Sequence, residues 1–173
     1  MKRLRTFAAL WIGATAMVGA QAAPSDLPCL TTQEGQSLVQ VALPDVLDAV
    51  GKTCATALPA TATLRAGLPA LIARYRANGD AAWVAAKPAI GKLGGEQLRD
   101  MNPDVLRPLI STIMGPLIAK DIKPGDCPRI DRITALLAPL PVANTAALVV
   151  ELFQLGTDRS KTRAPFSICP AHG

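Results

Sequence analysis

Histidine is almost missing from this chain: among 173 residues only His172 carries an imidazole, and it stands next to the C-terminal glycine. A Ser-His-Asp or Cys-His catalytic set needs that ring held rigidly against a nucleophile. A terminal residue following Cys169-Pro170 is not held in that way. No Cys-x-x-Cys pair occurs, and Cys29, Cys54, Cys127 and Cys169 lie far apart in sequence. This spacing excludes a CxxC oxidoreductase and argues against a zinc or iron site. No glycine-rich phosphate loop precedes a helix, so nucleotide hydrolysis has no support. Aromatic residues make up only 3% of the chain, and alternating runs of aromatic and β-branched residues, the mark of a half-buried strand, are not found. The remainder is rich in alanine and leucine, both strong helix formers. The expected class is all-α, without a catalytic set, cofactor or metal.

The N-terminus has the form of an export signal. Lys2, Arg3 and Arg5 precede an apolar run from Phe7 to Ala20, and Ala20-Gln21-Ala22 is the small-x-small pattern of a cleavage site. The apolar run is shorter than the roughly 20 residues needed to cross a bilayer. The expectation is cleavage after Ala22 and a mature chain, 23–173, in the periplasm or outside the cell, with no stable membrane span. Removing the three bases lowers the formal charge from +5 to +2, which takes away the compositional support for nucleic-acid binding. The mature chain is one domain by size, and an even cysteine count in an oxidising compartment favours two disulfides.

Helical periodicity is densest at 102–122, where Leu106, Leu109, Ile110, Ile113, Met114, Leu117 and Ile118 recur at steps of three and four. Asn102-Pro103-Asp104 is a start signal for this helix, and Pro108 and Pro116 interrupt it. It is taken as the element against which the others pack. Upstream, Thr31-Thr32-Gln33-Glu34 has the form of a capping box. It opens a helix over about 32–42. A break at Leu43-Pro44 then leads into a second helix with Leu47, Val50, Cys54 and Leu58 inward. From Leu68 to Leu93 the apolar positions keep one register across Asn78-Gly79, which favours one long helix, against two helices with Asp80 as a new cap. Gly94-Gly95 ends that segment. Lys123-Pro124-Gly125-Asp126 is a turn. Beyond it, Ile130, Ile133, Leu136 and Leu137 mark one helix, and Ala147, Leu148, Leu152 and Leu155 mark the buried face of another. The whole is a small disulfide-stapled bundle of about six helices with two helical hairpins.

The hairpin geometry sets the expected bridges. If the first two helices fold back at Pro44, Cys29 and Cys54 meet at the open end. If they form one rod, the same cysteines stand about 35 Å apart and cannot pair. The hairpin reading gives Cys29–Cys54 and, with a returning tail, Cys127–Cys169.

Charge is uneven. Residues 23–58 carry a balance of −3 and residues 64–99 a balance of +4. Arg76, Trp83 and Lys87 share a helix flank, and a cation beside an indole is a reasonable anion-binding spot. With Arg74 they form the candidate binding residues, and an anionic protein or ligand is the expected partner. The plainer account makes Trp83 core and the bases a solvated face, with Arg76 pairing to Asp80. Asp45 with Asp48 and Asp100 with Asp104 are the only carboxylate pairs of note, and helix-start electrostatics already explain them. Taken together, the residues point to an exported non-enzymatic binding protein of inhibitor, immunity or chaperone-like kind. The alternative is a carrier of a small apolar ligand or lipid, and a carboxylate-based hydrolase comes third.

Overall fold

The computed structural model describes residues 28–99, 101–159 and 166–170. The expected export signal at 1–22 and the terminal His172 lie outside them. Among the described residues six α-helices carry the fold: α1 (Thr32–Cys54), α2 (Leu68–Arg76), α3 (Gly79–Arg99), α4 (Pro103–Ala119), α5 (Cys127–Leu137) and α6 (Val142–Arg159). A single π-helical turn, Thr63–Gly67, leads into α2, and a short 3₁₀ turn, Pro124–Asp126, leads into α5. Two short strands, β1 (Cys29–Leu30) and β2 (Ser167–Ile168), pair in parallel and bring the tail back to the start of α1. The fold is all-α, as composition requires.

The organising element is α1, not α4. It packs against α2, α3, α4 and α6, and no residue between Glu34 and Gly51 is fully exposed. Its start is the capping box read from the sequence. The Glu34 backbone N–H donates to Thr31 Oγ1 at 3.2 Å, and the Thr31 N–H donates to the Glu34 carboxylate at 2.8 Å. Pro44 does not break it. The helix continues to Cys54 with Pro44 buried, because packing on several sides outweighs the single backbone hydrogen bond that proline removes.

This continuity re-pairs the cysteines. A rod of 23 residues is about 35 Å long, so Cys29 and Cys54 stand at opposite ends. The bridges are Cys29–Cys169 and Cys54–Cys127, which corrects the expected Cys29–Cys54 and Cys127–Cys169. The tail is tied down as anticipated, but to β1: the Cys169 N–H donates to Leu30 O at 2.7 Å.

The segment from 68 to 93 is two helices, separated at Ala77-Asn78. Their common apolar register arises because each buries against a different neighbour. Leu71 and Tyr75 of α2 join Val142 of α6, whereas Trp83, Ala86 and Ile90 of α3 join Leu106 of α4. Asp80 falls inside the first turn of α3 and accepts from Arg107 at 2.6 Å rather than capping. Gly95 adopts φ 60° and interrupts the helical path, a conformation open to glycine at little cost. In the α5–α6 hairpin the outward and inward faces differ from the periodic reading. Leu148, Leu152 and Leu155 are exposed, as are Ile133 and Leu136, while Val142, Thr145, Ala146 and Val150 are buried. Small residues allow α6 to approach α1 closely, and the leucines are left outside. The outer face of α4 is apolar too: Val105, Leu109, Ile113 and Leu117, each four apart, are exposed.

Candidate functional site

Along the N-terminal half of α1 the helices do not close. They enclose a cavity of about 410 Å³ whose walls come from α1, α3, α4, α6 and both strands. Leu38, Val41 and Val46 line it from α1, Ile110 and Met114 from α4, and Val150 from α6. All twenty of its described lining residues are apolar. Phe153 and Phe166, stacked with centroids 4.9 Å apart, form the wall between α6 and the tail. Leu93 and Ile118 belong to the lining and are partly exposed, so the cavity has a mouth.

The geometry follows from the local sequence. Gly115 lets α4 lie against α1 near Asp45: a Cβ there would come within 2.7 Å of the Asp45 carbonyl oxygen. From this contact the two helices are spread by Met114 and Ile110 on one side and Leu38 and Val41 on the other. The tail, fixed by Cys29–Cys169, places Phe166 and Ile168 across the gap.

A second hollow, also about 410 Å³, lies beside α3 and is walled by Trp83, Lys87, Lys92, Met101 and Leu106 among others. Ile90 and Leu98 line both hollows, so the two share a wall. Lys92 donates to the Glu34 carboxylate at 2.7 Å. Burial opposes ionisation of Glu34, but the Lys92 ammonium and the hydrogen bonds with Thr31 outweigh it and hold the pKa below its ordinary value of 4.5. Lys87 is exposed and has no ion pair among the described residues. Trp83 is 4% exposed, and its Nε1 has no hydrogen-bond acceptor. The Arg107 guanidinium lies 5.8 Å from the centre of its ring.

The four candidate binding residues are not brought to one place. Trp83 and Lys87 share the second hollow. Arg76 is paired with Asp45 of α1 at 2.9 Å rather than with Asp80. Arg74 donates to the Ala138 carbonyl oxygen at the α5–α6 corner and lies 5.6 Å from the centre of the Tyr75 ring. Asp48 is held by Lys52 at 2.7 Å. Asp45 and Asp48 therefore each face a base rather than a common cleft. Asp100 and the Asp104 side chain lie outside the described residues.

The apolar-ligand carrier was the alternative reading of the sequence, but none of the cavity's lining residues was singled out as a site, although α1 carries a sign that it is surrounded. The stretch Leu38-Val39-Gln40-Val41-Ala42-Leu43 is apolar on more than one helical face, which marks a helix surrounded by others rather than one lying on a surface. No known protein family, curated protein or solved structure matches this chain.

Proposed function

We propose that the protein binds a small apolar molecule in the cavity between α1, α3, α4 and α6, and does so without catalysing a reaction on it. The observation that carries this reading is a hollow of about 410 Å³ with no polar side chain in its described walls. Ligand pockets commonly fall between about 300 and 1,000 Å³, and apolar cavities stay dry and take up hydrocarbon. The energy scale also favours occupancy. At about 24 cal/mol per Å³ of sealed void, such a volume would cost roughly 10 kcal/mol, close to the whole stability of a domain. The cavity has a mouth, so this figure is an upper bound.

The competing reading, a docking face for an anionic protein along Arg74 to Lys92, stands behind it because Arg74 and Arg76, though exposed, already bond Ala138 and Asp45 of the same chain. The two disulfides and the absence, among the described residues, of a helix long and apolar enough to cross a membrane are consistent with an extracellular or secreted protein. With the cationic and apolar N-terminus, they support export with removal of residues 1–22. The intact mass of protein recovered from its host tests this, a chain beginning at Ala23 being expected.

Two measurements test the ligand reading. Native mass spectrometry of host-purified protein should show a bound apolar species. The neutral dye N-phenyl-1-naphthylamine should gain fluorescence on titration with the protein, and Ala42→Phe, which fills the cavity from α1, should abolish that gain. A bare polypeptide mass together with a dye signal unaffected by Ala42→Phe would overturn the reading.

A further inference from the structure

The two hollows differ in chemistry and adjoin. The cavity offers only hydrocarbon, whereas the groove beside α3 has two ammonium-bearing residues, Lys87 and Lys92, and no acid among its described lining residues. Lys92 is already neutralised by Glu34, which leaves Lys87 as the groove's unpaired cation. Trp83, in the same wall, carries the one buried side-chain donor among the described residues that lacks an acceptor. A groove that is basic on one side, apolar through Pro88, Met101 and Leu106, and set beside an apolar cavity across the shared wall residues Ile90 and Leu98 suits a molecule with two ends that lies over that wall.

Resting on the apolar-ligand reading, we infer that the ligand is an anionic single-chain amphiphile. Its alkyl chain occupies the cavity, and its carboxylate or phosphate head lies in the groove against Lys87. The chain supplies affinity through burial, and the head group fixes polarity and orientation through a charge-assisted contact. Lys87 selects for negative charge because an uncharged head group gains nothing from the ammonium, and a cationic one is repelled.

The test uses displacement of N-phenyl-1-naphthylamine from the full mature protein by palmitate, by hexadecanol and by lysophosphatidic acid. Palmitate should displace the dye with about three- to fivefold higher affinity than hexadecanol, the size of one solvent-screened charge contact. Lys87→Gln should remove that preference while leaving dye binding intact, and Lys52→Gln, remote on α1, should preserve it. Lys87 is exposed, so its replacement should not unfold the chain, and an unchanged Tm verifies this. A stronger effect of palmitate than of lysophosphatidic acid assigns a carboxylate head, and the reverse assigns a phosphate; either supports the inference. Equal displacement by palmitate and hexadecanol, or a preference unchanged in Lys87→Gln, overturns the head-group assignment while the apolar-ligand reading stands. Failure of the dye to bind wild-type protein overturns both.

Discussion

At the C-terminal end of α1, Cys54, Leu58, Leu64, Leu68 and Cys127 fill the space between α1, the π-helical turn, α2 and α5. Along its N-terminal half, Leu38, Val41 and Leu43 face a hollow. The same helix thus contributes to a solid pole and an empty one. The solid pole has short side-chain-to-backbone ties, such as the Leu64 N–H donating to the Asp131 carboxylate at 2.7 Å and Arg65 donating to Leu58 O at 2.9 Å. The hollow pole has no polar side chain in its described walls and is closed by a tail held by one disulfide and a two-residue strand pairing. On the proposed reading, the difference separates stability from binding along one rod, so substitutions at the two poles should report on different properties.

The largest effect should come from Cys54→Ala with Cys127→Ala. The bridge closes a separation of 73 residues, worth about 4 kcal/mol in the chain-entropy model, and both cysteines are almost fully buried, so the truncation also opens a void. Thermal or urea unfolding should show a loss of about 4 to 5 kcal/mol, with dye binding retained in the fraction that stays folded. Cys29→Ala with Cys169→Ala should reverse the pattern. Its longer loop predicts a comparable entropic loss, yet Cys29 is exposed and leaves no core void. With no void added, the stability loss should not exceed that of the buried bridge, about 4 to 5 kcal/mol, while dye binding collapses as Phe166 and Ile168 leave the cavity wall. Equal effects of the two double variants on binding would erase the contrast between the poles.

Gly115→Ala should cost about 1 to 3 kcal/mol, because the added carbon meets the backbone of Asp45 at 2.7 Å and the Cβ of Ala49 at 3.1 Å, and neither has a flexible end that can yield. Ala42→Phe should instead leave stability unchanged or raise it by about 1 kcal/mol, since it occupies empty space, while removing dye binding. The smallest effect concerns Glu34. Its pKa is depressed in the folded state, so its contribution is present at neutral pH and lost as pH falls below 4.5 through the folded value. The side chain of Lys92 is 42% exposed, so screening limits the pair to less than about 1 kcal/mol. Lys92→Gln should slightly flatten the acid limb of the stability profile, and an unchanged limb would show that Thr31 alone holds the carboxylate.

Local signals were legible and global ones less so. The capping box at Thr31 and Glu34 and the turn at 123–126 depend on neighbouring residues, and each was readable from the sequence. The Pro44 break was misread because a proline's local cost was weighed without the packing around α1, and the disulfide pairing followed from that error. Pro108 and Pro116 lie within α4 in the same way. On α6 the leucines were the largest apolar residues and were assigned to the interior, but Thr145, Ala146 and Val150 allow the closer approach. Of the candidate site, Trp83 and Lys87 were found together, whereas Arg74 and Arg76 were drawn off by partners distant in sequence, Ala138 and Asp45. The cavity depends on the shape left between four helices and a returning tail, which periodicity along one helix does not encode.

The bond from position 29 to position 169 turns nearly the whole described chain into a covalent ring. A protease that cuts once in any exposed loop inside that ring opens it without releasing a fragment: the nicked molecule migrates at full mass until a thiol reductant is added. The severed pieces stay at the high effective concentration of a tether, so scission alone does not scatter the walls that would surround a guest molecule. After a single cut, the walls therefore come apart only if the bridge from 29 to 169 is reduced as well.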